Sequence, residues 1–353
     1  MTGRALAVQG GIAALGLVTM YATWQREPEH APGAVTVIDA GKSDVTRVHY
    51  EDDGIAADLT PGDTGDDTGI WMHLVMKPKP PAKTDGKTDG KTDGKTDAKA
   101  EVKPPPPPRD VMAGESAKHL YEQFTPLVSM RAFGVLDAAK LKEIGLDNPK
   151  RKLEVTAKGA VRRYEVGQPA QNAGGEAFLR DTADGRVYLM PRNMLSELQN
   201  ADHLIDRRLH VFEPADYDRV KLTSGGKEKE FVVIGRESPK TAGLAPAKTP
   251  DKRDQTAKTW NDAVWRLWPS DILGKGEQPT GGKVGVLMRV DYSDGKKSIG
   301  WIEIGRVETG SGLSEDAAAT GDLYARTEHT ASWVKVPTGG TVLTDAQKLV
   351  AAP

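Results

Sequence analysis

The sequence predicts an α+β protein: an N-terminal transmembrane helix followed by two duplicated, mostly antiparallel sheet-plus-helix units, with a disordered insertion in the first. Three observations predict it. An apolar run fills residues 5–24, similar strand and helix signals recur in Val35–Asp206 and Phe212–Val350, and a low-complexity tract interrupts the first of these stretches. At 353 residues the chain exceeds the usual single-domain size of about 100–200 residues, which favours two globular units with additional non-globular segments.

The apolar run Ala5–Trp24 has Gln9 as its only strongly polar residue and matches the roughly 20 residues that span a hydrocarbon core. Residues 1–4, with Arg4, are expected on the cytoplasmic side, Tyr21 and Trp24 suit the far interface, and Arg26 is offset by Glu27 and Glu29. The expectation is a single-pass signal anchor in the inner membrane with the bulk of the chain on the periplasmic side. The pairs Met20/Ala22 and Tyr21/Thr23 fit a cleavage site badly, so the anchor is expected to stay uncleaved.

AVTVIDAGKSDVTRVHYEDDG and GIWMHLV cluster Val, Ile, Tyr and Trp between Gly/Asp turns and are expected to be strands. The tract that follows, PPAKTDGKTDGKTDGKTDAKAEVKPPPPPRD from Pro80 to Asp110, has no apolar face and five consecutive prolines, so residues 77–109 are expected to be a disordered insertion. It carries nine Lys/Arg and five Asp/Glu from Lys77 to Arg109, a balance of +4.

ESAKHLYEQFTPLVSMRAF spaces Leu120, Phe124, Leu127, Val128 and Phe133 for an amphipathic helix with an irregularity at Pro126. A short helix is expected from the Asp137 cap to Gly145, with Pro149 preventing continuation. KLEVTAKGAVRRYEVGQP then reads as two strands around a Lys-Gly turn.

The chain resembles itself. RRYEVGQP matches GWIEIGRV, pairing Glu165 with Glu303 and Gly167 with Gly305; FLRDTADGRVYLMP matches YARTEHTASWVKVP, with Arg180 and Arg326 each 11 residues before Pro191 and Pro337. SDVTRVHY matches ADYDRVKL through Asp44/Asp216, Arg47/Arg219 and Val48/Val220, and Trp71 is set against the Trp260/Trp265/Trp268 group. Helices are expected after each copy, at MLSELQNADHLID and TVLTDAQKLVA. Repeats this long indicate duplicated domains, since solenoid periods are shorter. On this alignment the Lys-Thr-Asp-Gly tract lies inside the first unit.

An N-terminal apolar span, Asp44-Val-Thr-Arg-Val48, Ile144–Pro149 (Ile-Gly-Leu-Asp-Asn-Pro), Tyr164–Gly167, Val187–Leu189 and Asp206–Arg208 before Phe212, in this order, resemble the bacterial domain-of-unknown-function 4340 family. The resemblance implies an anchored envelope protein, often encoded beside ABC-type exporters like those of gliding motility. It brings no established catalytic or binding residues.

Composition excludes several chemistries. No cysteine is present, so there is no disulfide, thiolate catalysis or Cys-ligated zinc. Lys plus Arg total 48 against 50 Asp plus Glu, a net charge of −2, with no overall basic bias toward nucleic acid. The seven histidines are isolated, without His-Glu-x-x-His, and His203 and His210 flank a break; no zinc site or cofactor is expected.

Ser224-Gly-Gly-Lys227 and Ser293-Asp-Gly-Lys296 fit Ser-x-x-Lys, but each reads as a hairpin turn rather than a nucleophile opening a helix. GKGEQPTGGKV lacks the spacing of a phosphate loop, and GDTGDDTG lacks the register and closing Glu of an EF-hand. Glu165/Arg180 and Glu303/Arg326 are read as cross-strand ion pairs, the only charged pairs preserved between the copies. Trp260, Trp265 and Trp268 are spaced for one helical face; core packing is the simpler reading, and a glycan- or peptide-binding surface the functional one. The expected function is a non-enzymatic accessory or scaffold component of a membrane complex such as an ABC-type exporter, with protein partners. The alternative is a binding module for cell-wall or polysaccharide polymers.

Overall fold

The computed structural model describes residues 33–62, 69–78, 105–167, 177–236, 241–308, 322–337 and 341–352. The first unit contains β1 (Val35–Ile38), β2 (Val45–Glu51), β3 (Ile55–Pro61), β4 (Ile70–Met76), β5 (Arg109–Ala113), α1 (Glu115–Glu122), β6 (Leu127–Ser129), β7 (Arg131–Val135), α2 (Ala138–Glu143), β8 (Arg151–Ala157), β9 (Ala160–Val166), β10 (Ala177–Asp181), β11 (Arg186–Met190) and α3 (Arg192–Gln199), then a 3₁₀ turn at Ala201–Leu204. The second contains β12 (Arg219–Ser224), β13 (Lys227–Ile234), β14 (Gly243–Pro246), α4 (Gln255–Trp265), β15 (Asp271–Ile272), β16 (Val284–Asp294), β17 (Lys297–Val307), β18 (Leu323–Thr327), β19 (Val334–Val336) and α5 (Val342–Ala351).

The α+β expectation is corrected: the described residues form a mostly β protein, with nineteen strands against five α-helices of no more than 11 residues. Part of the difference lies at ESAKHLYEQFTPLVSMRAF, where only Glu115–Glu122 is helical. Pro126 has no N–H and disfavours helical geometry at Thr125, so the chain leaves the helix and continues as β6 and β7. Among the described residues no helix is long and apolar enough to cross a membrane. The span expected at Ala5–Trp24 lies outside the described residues, as do most of the Lys-Thr-Asp-Gly tract and of GDTGDDTG.

Strand order in the nine-stranded sheet is β5-β4-β3-β2-β8-β9-β10-β11-β7, and in the eight-stranded sheet β14-β13-β12-β16-β17-β18-β19-β15. Apart from the added edge strand β5, the two orders are identical position by position. β1 and β6 form a separate two-stranded ribbon. One face of each sheet is covered by two helices: Ala117, Leu120 and Tyr121 of α1 and Met194, Leu195 and Leu198 of α3 join the first core, while Ala257, Trp260 and Val264 of α4 and Ala346 and Leu349 of α5 join the second. Alternation places Val48 and Tyr50 of β2, and Val220 and Leu222 of β12, under these helices.

The local chemistry follows the sequence at several points. Asp137 caps α2 by accepting from the Lys140 N–H at 2.9 Å. Ser224 and Lys227 face each other across a tight hairpin whose central Gly225 and Gly226 have φ of 56° and 73°, the left-handed pair of a two-residue turn. Trp71, by contrast, stands on β4, whose counterpart is β14, so its proposed match with the α4 tryptophans is corrected. Trp71 lies on a strand and Trp260 and Trp265 on a helix, elements that do not correspond.

β4 and β5 are antiparallel neighbours, with Leu74 opposite Arg109, so residues 79–104 connect two adjacent strands of one sheet. Gly167, immediately after β9, and Gly305, on β17, are both hemmed in by backbone. An added Cβ would come 2.6 Å from the Ile144 carbonyl oxygen at Gly167 and 2.2 Å from that of Gly285 at Gly305.

Two outcomes are expected. Deleting Lys83–Ala98 shortens a loop whose closure entropy changes by only about 0.6 kcal/mol per halving, so thermal unfolding should shift by no more than about 2 °C; a large fall would show that the tract supports the sheet. Gly305→Ala should lose about 1–3 kcal/mol or more in a denaturant titration, because backbone must move. Gly226→Ala, with open space around it but positive φ, should cost about 1 kcal/mol.

Candidate functional site

The faces of the sheets away from the helices are laced with ion pairs. Arg180 Nε donates to Glu165 at 2.6 Å and Arg326 Nη2 to Glu303 at 2.7 Å, each between residues directly opposite in register. Both expected cross-strand pairs are therefore present. They are not the only repeated ones: Arg47 binds Asp58, and Arg219 Nη1 donates to Glu230 at 3.0 Å, each pair 11 residues apart between equivalent strands. The Asp-for-Glu exchange between copies hid this correspondence in the sequence. Glu303 also accepts from Arg289 at 2.7 Å, and Trp301 and Trp333 stack against these guanidinium groups.

Charged and buried polar groups from both units converge where the β5 end of the first sheet meets the β15 end of the second. Arg109 on β5 donates through Nη1 to Asp271 at 2.7 Å and through Nη2 to Glu277 at 3.2 Å. Burial acts to lower the Arg109 pKa, but its two carboxylates more than offset this and raise it. The Lys275 N–H donates to the Asp110 carbonyl at 2.7 Å, and the Lys275 ammonium lies 4.9 Å from the centre of the Trp71 ring. Ile272 packs against both cores.

A second set of contacts holds the connecting segment 205–212. Ile205 bridges to Ala113, and the Asp206 N–H donates to the Met112 carbonyl at 2.9 Å, so this segment extends along the outer edge of β5. The Asp206 side chain is 5% exposed and accepts from His329 Nε2 at 3.0 Å and Arg208 Nη2 at 2.7 Å. Burial alone would raise its pKa; hydrogen bonds from His329 and Arg208 outweigh that and hold it well below the usual carboxylate range. Thr327 Oγ1 donates to the Leu209 carbonyl, and His210 Nδ1 lies 3.0 Å from Glu328. Three successive residues, Thr327 at the end of β18 and Glu328 and His329 in the loop that follows, thus grip the connection.

His210 continues into an aromatic cluster with Phe212, Tyr217, Trp265 and Tyr292, ring centres 4.7–6.2 Å apart. This locates the three tryptophans singled out in the sequence. Trp260 is buried, donating from Nε1 to the Val342 carbonyl at 3.1 Å; Trp265 sits in the aromatic cluster; Trp268, beyond the end of α4, is 60% exposed. The structure does not bring them together on one surface.

A cleft of about 270 Å³ at the junction is bordered by Arg109, Asp202, Arg207 and Asp271. Its charged groups are already paired: Arg207 binds Asp202 at 2.9 Å and Arg109 binds Asp271. Ser224 donates to the Leu287 carbonyl and, like Ser293, stands at the end of a β-hairpin, not at the start of a helix. Among the described residues no group of three or more His, Asp or Glu is placed to hold a metal ion. The arrangement is suited to fixing two sheets in one orientation.

Sequence reading missed Arg109, Asp271, Glu277 and His329 because their partners lie 123–168 positions away. Only Asp206–Arg208 carried a signal, as part of the family resemblance.

Asp58 is held at about 2: burial opposes ionisation, and hydrogen bonds from His49 and Arg47 outweigh it. Asp58 and Asp206 are both more acidic folded than unfolded. Their contribution is complete above about pH 4 and is lost as pH falls toward the folded values. Stability should therefore drop from about pH 4 to about pH 2, and Asp206→Asn should flatten that acid limb. Arg109→Met should cost about 1–3 kcal/mol in a denaturant titration, since Asp271 and Glu277 are left unpaired.

No curated protein and no solved structure matches the chain. The family model described as Domain of unknown function (DUF4340) matches residues 122–273, from the end of α1 through β15. That range contains four of the quoted motifs, Ile144–Pro149, Tyr164–Gly167, Val187–Leu189 and Asp206–Arg208, but not Asp44–Val48. It is narrower than the resemblance read from the sequence, and it is over residues 122–273 that the chain is similar to the DUF4340 family.

Proposed function

We propose that the protein is a non-enzymatic accessory component of a multiprotein assembly, in which two fused sheets act as one rigid spacer and present their outer surfaces to protein partners. The observation that carries this reading is the junction. Arg109, Asp206, His329 and Glu328 are all committed to holding the two sheets and their connection together. Rigid fusion of two copies costs little entropy on association, because the surfaces on both are already fixed relative to each other. A membrane-bound exporter is the setting that the family resemblance implies.

Site-specific photo-crosslinking in the native host tests it, with the crosslinker placed at exposed positions Val161, Val211, Val286 and Trp268 of the full chain. A discrete adduct with the same partner from more than one position is expected. A chain that extracts as a monomer and yields no adduct from any of them would contradict the proposal.

A further inference from the structure

Each sheet has two ends, and an uncovered end leaves a row of N–H and C=O groups open to pairing. Three of the four ends are covered. β5 is covered by Lys275 and by Ile205–Asp206, and β15 abuts the first unit through Arg109 and the core contact of Ile272. β14 receives the Asp254 N–H on the Leu244 carbonyl at 2.7 Å, with the Arg253 side chain against Gly243. β7, the fourth, pairs only with β11, and no described strand lies on its other side.

β7 carries neither lysine nor proline; its edge protection is limited to Arg131, its length of 5 residues and the register irregularity in its pairing with β11. Met130 is 46% exposed, Phe133 39% and Val135 72%, and Val35, opposite Ser129 on the adjoining ribbon, is 41% exposed. These are four of the nine large hydrophobic residues exposed among the described ones, so the apolar surface is concentrated at this sheet end.

The duplication indicates what should cover it. β7 occupies the place of β15, the strand that the chain covers itself. Leu189 and Lys335 each stand two residues before the matched prolines; Arg131 is opposite Leu189, and Asp271 is opposite Lys335. Arg131 therefore stands where the second unit has Asp271. Asp271 receives the guanidinium of Arg109, whereas Arg131 makes no ion pair among the described residues and rests 5.3 Å from the centre of the Phe133 ring. The charge requirement is reversed. A second copy offering its own β5 in the same manner would set Arg109 against Arg131, so it does not fit.

We propose that the outer edge of β7 is a docking site for an extended segment of a partner protein in which carboxylate and apolar side chains alternate, added to the first sheet as a further strand. Main-chain hydrogen bonds would supply attachment, the Arg131–carboxylate pair the polarity, and contact with Met130, Phe133 and Val135 the apolar burial. This rests on the assembly-component reading and gives one of its contact surfaces.

The test uses the full chain and two blocked, fluorescent peptides, Val-Glu-Val-Glu-Val and Val-Lys-Val-Lys-Val, read by anisotropy together with amide hydrogen exchange. One exposed ion pair of at most about 1 kcal/mol predicts roughly fivefold tighter binding of the acidic peptide, and Arg131→Glu should reverse the order. The acidic peptide should slow exchange in Arg131–Val135 and leave β14 unchanged. Val135→Lys, at the most exposed apolar position, should weaken the acidic peptide without unfolding the protein. Equal binding of both peptides, an order unchanged by Arg131→Glu, or slowed exchange confined to other strands would overturn the proposal. So would β7 amides already as protected as those of β11 in the unliganded chain, which would mean that the protein covers this edge itself. Adducts from Trp268 or Val286 with a failed peptide test would sink this docking site alone; absence of adducts everywhere would sink the assembly reading.

Discussion

Arg109 reaches from the last strand of one sheet to Asp271 and Glu277 of the next, and the rest of the architecture is organised around the closure it makes. Sheet ends are the vulnerable parts of a β protein because their backbone groups have no built-in partner. Here one copy of a duplicated sheet closes its end with the other copy. The guanidinium is suited to that role: it stays charged, and its fork can address two carboxylates at once. Asp206 serves the connecting segment in a similar way, accepting from both His329 and Arg208 while its own backbone N–H continues along β5.

The duplication is close in topology but not in the use of its ends. β5 has no counterpart in the second sheet, where the chain turns from β14 through Arg253 and Asp254 into α4. That single added strand creates the surface against which β15 rests. The corresponding end of the first sheet, β7, keeps its apolar side chains and an arginine in place of the aspartate. Matching strand orders thus carry opposite charge at one equivalent edge position, Arg131 against Asp271, which disfavours open-ended chaining of copies through β5.

Much of this was readable in the sequence, and the reasons are local. Hairpins announced themselves through Lys158–Gly159, Gly225–Gly226 and Asp294–Gly295, and the cap at Asp137 through its position before a helical run. The repeats at Glu165/Arg180 and Glu303/Arg326 survived because both partners kept their residue type. Helical spacing misled at Leu120–Phe133, where Pro126 breaks the run and tertiary pairing makes strands of the remainder. The balance of strand over helix was underestimated for the same reason. The junction left little trace, since residues that meet after 123–168 intervening positions have no periodicity to reveal them. Trp71 was aligned with the α4 tryptophans by residue type alone, and residue type does not record which element carries it.

The central claim is that the two sheets form one rigid body closed at β5 and β15. Spin labels at Val161 on the first sheet and Val286 on the second, both exposed, measure this through the distribution of their separation by pulsed electron resonance. A single narrow distribution is predicted for the full chain, broadening when Arg109→Met and Asp206→Asn are combined. A broad or multiple distribution in the unsubstituted chain would contradict the account.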